Sequence, residues 1–165
     1  CFINGKWATP KSDNYHILYN PSNGLELCKI ARCNSFDVSL AVESARRAFQ
    51  GEWGKKSALE RGRILNKIGS LIENKFDKFA LLESIDVGKP LRQAKADVSA
   101  LIRYLEFYAG AADKLHGEII PYLDGYTVYS IREPHGVTAH IIPWNYPISM
   151  IGRSMVRKSK VIQEY

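Results

Sequence analysis

The chain has 165 residues, enough for one domain with a sizeable core, and its 45% hydrophobic and 24% charged content is ordinary for a globular protein. No stretch approaches the roughly 18 apolar residues of a membrane helix, and the first residues lack the basic-then-apolar pattern of a secretory leader, so a cytoplasmic protein without membrane contacts is expected. The net charge of +6 does not point to nucleic acid, because Arg46, Arg47, Lys55, Lys56, Arg61 and Arg63 alternate with Glu43, Glu52 and Glu60 as solvated helix faces do.

The first thirty-odd residues read as short strands and turns. Asn4-Gly5 is a hairpin signal between Phe2-Ile3 and Lys6-Trp7. Asn20-Pro21-Ser22-Asn23-Gly24 is a second turn, and Leu25 to Ile30 then alternates as a half-buried strand does. Ser35 is the expected cap of a helix whose apolar positions are Val38, Ala41, Val42, Ala45, Ala48 and Phe49. Ser57-Ala58-Leu59-Glu60 has the spacing of a capping box and opens a helix with Ile64, Leu65, Ile68, Leu71 and Ile72 on one face. A short helix follows over roughly 75–85, and a longer one over about 91–114 with Ala94, Val98, Leu101, Leu105 and Tyr108 inward. The pattern then returns to period two. Residues 126–133 alternate after the Asp124-Gly125 turn, and 118–122 is their expected partner.

Cys1, Cys28 and Cys33 form no C-x-x-C pair and have no neighbouring histidine to complete a zinc site, so reduced thiols are expected. The four histidines lack metal-ligand spacing. There is no G-x-G-x-x-G, and Gly88-Lys89 is followed by Pro90 rather than Ser or Thr, so it is no phosphate loop.

The run Gly136-Val137-Thr138-Ala139-His140-Ile141-Ile142-Pro143-Trp144-Asn145-Tyr146-Pro147 is the most informative segment. Pro143 ends strand pairing, and Pro147 biases Tyr146 away from helix while suiting the first turn of one itself. Two readings fit. One is a proline-bracketed turn without chemistry. In the other, Asn145 at the end of a buried strand offers its NH2 to an oxygen that gains charge during a reaction. The order of strands, helices, ribbon and strand-into-helix predicts the opening of an α/β protein whose parallel sheet has barely started.

At Ile141-Ile142-Pro143-Trp144-Asn145-Tyr146-Pro147 the chain resembles the aldehyde dehydrogenase superfamily, and seven further stretches continue the likeness in order. They are Phe2 to Trp7, Asn20 to Gly24, Ala45 to Phe49, Arg61 to Leu65, Asp86 to Pro90, Arg103 to Asp113, and Arg132 to Val137. The resemblance implies the amino-terminal part of that fold over 1–155. This comprises short strands, a helical segment, an oligomerisation ribbon at about 118–133, and the first strand of an incomplete Rossmann-like parallel sheet. It also implies NAD(P)+-dependent oxidation of an aldehyde to a carboxylic acid. In that chemistry a cysteine thiolate attacks the aldehyde, hydride passes to NAD or NADP, and a glutamate-activated water releases the acid.

Residue by residue, Asn145 resembles the family's oxyanion-hole asparagine, and Ile141, Ile142, Pro143 and Trp144 resemble its cofactor wall. Tyr146, Met150 and Arg153 resemble its aldehyde tunnel, with Arg153 placed to prefer an anionic or polar aldehyde. Asp86, with carbonyls near Leu18 and Tyr19, resembles a monovalent-cation site of some members. Each has a plain alternative: Ile141 and Ile142 as core, Met150 as helix packing, Arg153 as a solvated side chain, Asp86 as a helix-end residue. The ribbon implies a homo-oligomer of the longer protein.

The stretch 156–165 does not resemble the family, and no cysteine here matches its nucleophile motif. With Cys1 rather than Met first, the expectation is a truncated piece of an aldehyde dehydrogenase, inactive alone. The alternative is a short non-catalytic protein that associates with full-length subunits.

Overall fold

The computed structural model describes residues 1–156. Its strands form three separate antiparallel pairs. In the first, β1 (Phe2–Ile3) pairs with β2 (Lys6–Trp7) across Asn4 and Gly5, both of which take the positive φ that a two-residue hairpin turn demands. In the second, β3 (Tyr15–Tyr19) pairs with β4 (Glu26–Ala31), with a bulge between Leu18 and Tyr19. β4 alternates in sequence as expected but is exposed along nearly its whole length, so the predicted half-burial is not seen among the described residues. Period two makes a strand, and only a second layer buries one of its faces.

The helices are α1 (Ser35–Gln50), α2 (Glu52–Lys55), α3 (Ala58–Glu73), α4 (Phe76–Val87), α5 (Leu91–Ala111) and α6 (Pro147–Ile151), which runs into a π-helical turn, Gly152–Val156. Asn34, not Ser35, caps α1. Its side chain accepts from the Phe36 and Asp37 N–H groups, and Asp37 returns the bond to the Asn34 N–H. Either residue type can cap, and the box chose Asn34 because it places an acid at the third helical position. The box at Ser57 is as expected, and its bonds from the Ser57 backbone and hydroxyl hold the Glu60 carboxyl below its ordinary pKa.

α5 organises the core. Ala94, Val98, Leu101, Ile102, Leu105 and Ala109 are buried on it at helical spacing, against Leu65 of α3, Ala80 of α4 and Ile148 of α6. α3 approaches it closely at Gly62, where an added Cβ would stand 2.6 Å from the Ala109 carbonyl oxygen and 3.2 Å from the Ala112 Cβ. Gly62→Ala therefore pushes two helices apart, and we expect it to cost about 1–3 kcal/mol in urea denaturation. Ile68, Leu71, Val38 and Val42, predicted to face inward, are exposed. Amphipathicity marks the face a helix buries, yet no described segment covers these stripes.

β5 (Ile119–Ile120) and β6 (Val128–Tyr129) form the third pair, extended by Ser130 N–H to the Glu118 carbonyl at 2.9 Å. The ribbon has the expected position but shorter strands. Residues 137–142, predicted as a strand, have no strand partner among the described residues. A strand exists only through its ladder, and apolar sequence alone does not supply one.

The cysteines correct another expectation. Cys1 and Cys33 are disulfide-bonded, and Cys28 is free and exposed. Their separation of 32 residues hides the pair in sequence, while the fold brings the first strand beside the loop that enters α1. The set-apart stretch 156–165 lies, after Val156, outside the described residues.

Candidate functional site

The site is built where the Pro143–Pro147 turn meets the start of α5. Pro147 opens α6, and Ile148 and Ser149 are buried at once, which seats the downstream side of the turn on the core. Gly152, one residue past α6, lies tight against α5: an added Cβ would stand 2.6 Å from the Tyr104 ring and 3.2 Å from Leu101 Cδ1.

Upstream of Tyr146 the segment stands open. Ile141 is 99% and Trp144 82% exposed, and the Asn145 carboxamide is exposed and makes no hydrogen bond among the described residues. Pro143 is exposed and Ile142 half-buried. Tyr146 is the residue that ties this segment down. The Gln93 side-chain amide donates to its hydroxyl at 3.0 Å, and Lys89 Nζ lies 4.3 Å from its ring centroid.

Lys89 is itself fixed. Its ammonium donates to Glu83 Oε1 at 2.9 Å and Asp97 Oδ2 at 2.8 Å, and the three side chains are 8%, 1% and 12% exposed. Burial, the largest single influence, opposes the charge. Hydrogen bonds to Asp97 and Glu83, with their negative charges, together outweigh it and hold Lys89 above the ordinary lysine pKa. The trio joins α4, the Gly88-Lys89-Pro90 connection and α5 to the turn. Gly88 makes this connection possible, capping α4 at φ +76°.

On the far side of α6, Arg153 Nε donates to the Tyr104 hydroxyl at 3.0 Å, and Met150 is half-buried. Tyr104 also lines an open cavity of about 600 Å³ along α5 with Ala100, Arg103, Glu106, Phe107 and Tyr108. No described carboxylate pairs with Arg153. Asp86 sits apart from this group, exposed in the last turn of α4, where Gly88 abuts Pro21 of the 20–24 turn.

Among the described residues, Cys1, Cys33 and Asp37 place ligand atoms within 4.8 Å of one another. The sulfurs are bonded to each other, however, and Asp37 already accepts the Lys11 and Asn34 N–H groups. No described helix is long and apolar enough to cross a membrane.

No sequence motif marks Glu83, Asp97 or Gln93. Lys89 reads in sequence as a failed phosphate loop and as part of the family-like stretch Asp86 to Pro90, and its partners lie six and eight residues away across a helix end, a turn and a new helix. No single period links them.

Residues 7–158 match the model of the aldehyde dehydrogenase family. Human retinal dehydrogenase 2 is 39% identical over 152 residues, which are 90% of this chain and 29% of that protein. The crystal structure of a Burkholderia cenocepacia protein assigned to the aldehyde dehydrogenases is similar at TM-score 0.95 and 49% identity, over 97% of this chain and 34% of its own. A point mutant of betaine aldehyde dehydrogenase from Staphylococcus aureus, solved with NAD+, is similar at TM-score 0.91 and 30% identity, over 97% of this chain and 32% of its own. The chain thus spans about a third of the length of these proteins, and it has the fold of their corresponding part.

Proposed function

We propose, because the chain belongs to the aldehyde dehydrogenase family, that it forms the amino-terminal part of an NAD(P)+-dependent enzyme oxidising an aldehyde to a carboxylic acid. The observation that carries this reading is the Asn145 carboxamide, exposed, without a hydrogen bond among the described residues, on a turn anchored at its next residue. A donor held ready in this way suits an aldehyde oxygen that turns negative when a thiolate adds to the carbonyl carbon.

NAD or NADP, when bound, supplies the hydride acceptor. The residues present fit one wall of such a site, since Ile141, Pro143 and Trp144 offer apolar surface that no described residue covers and Ile142 backs them. Tyr146, Met150 and Arg153 are assigned to the aldehyde side. Arg153, tied to Tyr104 through Nε alone, keeps its terminal guanidinium nitrogens for a carboxylate or polar tail on the substrate. Asp86 is retained as a candidate ligand for a monovalent cation.

The nucleophile and general base are assigned to residues outside this chain. Cys1 and Cys33 are bonded together, and Cys28 stands on the exposed face of β4. We therefore expect the 165-residue chain to form no NADH from aldehyde and NAD+, measured by absorbance. Turnover that persists through rigorous purification would overturn this assignment.

A second reading draws on the β5–β6 ribbon, where Ile119, Tyr122, Leu123, Tyr126, Tyr129 and Ile131 are all exposed. Such an edge calls for a covering chain, either another copy or a full-length family subunit that this chain joins without catalysing. Reading the gene onward from Met155 separates the two. A resumed family sequence with a cysteine motif supports the enzyme, and a stop codon with an expressed short product supports the associating protein.

A further inference from the structure

We propose that Lys89 is a positioning residue for Asn145: its ammonium, locked between Glu83 and Asp97, grips the Tyr146 ring and so sets where the neighbouring carboxamide stands. The proposal rests on the reading of Asn145 as the donor to the developing oxyanion.

The geometry is directional. Ile141, Trp144 and Asn145 make no hydrogen bond, ion pair or ring contact among the described residues, so the turn is held from Tyr146, whose carbonyl accepts from the Met150 N–H at 2.9 Å where α6 begins and whose side chain is held by Lys89 and Gln93. Tyr146 is gripped twice from the same region, at its face by Lys89 and at its hydroxyl by Gln93, four residues further along. Adjacent Cα atoms are held about 3.8 Å apart, so a displaced Tyr146 backbone draws the Asn145 backbone with it.

Burying one ammonium with two carboxylates is a poor device for stability alone, because desolvation offsets the attraction. What the trio provides is a cation that has lost its rotamer freedom. Lys89 is held protonated and saturated by acceptors, so it offers a fixed charge rather than a proton. The face of a tyrosine is attracted to such a charge only when the ring stands over it, and that constrains the ring's position.

The test uses a full-length family enzyme carrying residues 1–156 as its own amino-terminal part, together with the chain itself. Misplacing a catalytic group by about 1 Å costs about 10²-fold, so Lys89→Met should lower kcat by about 10- to 100-fold. KM for the nicotinamide cofactor should stay unchanged, and Lys89→Arg should restore most of the rate. In an Asn145→Ala background the same change should lower kcat by no more than about twofold, since the donor it places is gone. Where Lys89→Met does not fold, the triple variant E83Q/K89M/D97N removes the stranded charges and serves in its place.

An unchanged kcat, or an equal fall in the Asn145→Ala background, overturns the proposal. If Asn145→Ala alone leaves kcat intact, the oxyanion reading fails instead. The nitrogen-15 NMR spectrum of the chain then decides about Lys89. Shifted or averaged Asn145 side-chain and Trp144 indole signals in the variant support its hold on the turn, and signals left in place refute it.

Discussion

Replacing Asn145 by alanine in a full-length enzyme that carries this segment should lower kcat by about 10²–10³, or about 3–4 kcal/mol of transition-state stabilisation. The effect should fall on the chemical step. Before thiolate addition the aldehyde oxygen is a weak acceptor, and afterwards it is an anion, so the amide donor binds the later species far better. Stability should be untouched. The carboxamide is exposed and bonded to nothing among the described residues, so alanine strands no partner and opens no cavity. Single-turnover kinetics and thermal melts of both proteins check the two halves of this expectation. A melt that drops with the rate would make Asn145 a structural residue, and unchanged turnover would remove it from the mechanism.

The second large effect is on folding. Lys89→Met in the chain should cost about 3–5 kcal/mol, because it leaves Glu83 and Asp97 buried without their counter-ion. Domains of this kind have only about 5–15 kcal/mol in total, so much of the chain should be unfolded well below the ordinary urea midpoint. The triple variant E83Q/K89M/D97N should recover a large part of the loss, since a neutral trio has no charge to desolvate.

The pH dependence has a definite sign. A lysine whose pKa is raised in the folded state stabilises fully below its unfolded value and loses that contribution as pH rises through the folded one. The difference between the native chain and the triple variant E83Q/K89M/D97N, which keeps no titratable group in the trio, should therefore be level through neutral pH and shrink only under strongly alkaline conditions. A difference that changed over roughly pH 6–8, where histidine titrates, would assign the stabilisation to another group.

Local signals were legible wherever neighbours in sequence are also neighbours in space. The Ser57–Glu60 box closes within one helical turn, and the buried stripe of α5 repeats at helical spacing from Ala94 to Ala109. The Asn4-Gly5 turn joins Ile3 to Lys6 and Phe2 to Trp7, and the Asp124-Gly125 turn joins Ile120 to Val128 and Ile119 to Tyr129, all within one hairpin. The Asn145 turn was equally visible because two prolines bracket it.

What sequence could not assign were the partners of groups that meet by tertiary packing. The bond between Cys1 and Cys33, the uncovered face of α1 and the unpaired segment 137–142 all depend on which elements come to lie side by side. Lys89 is the sharpest case. Its charge is evident in the sequence, yet its partners, Glu83, Asp97 and Tyr146, arrive from two helices and a distant turn. The sequence by itself determined the helices, the Ser57 cap and the family. Only the tertiary structure decided which groups Lys89 and Tyr146 meet, because burial and ion pairing depend on distances in space that no spacing along the chain encodes.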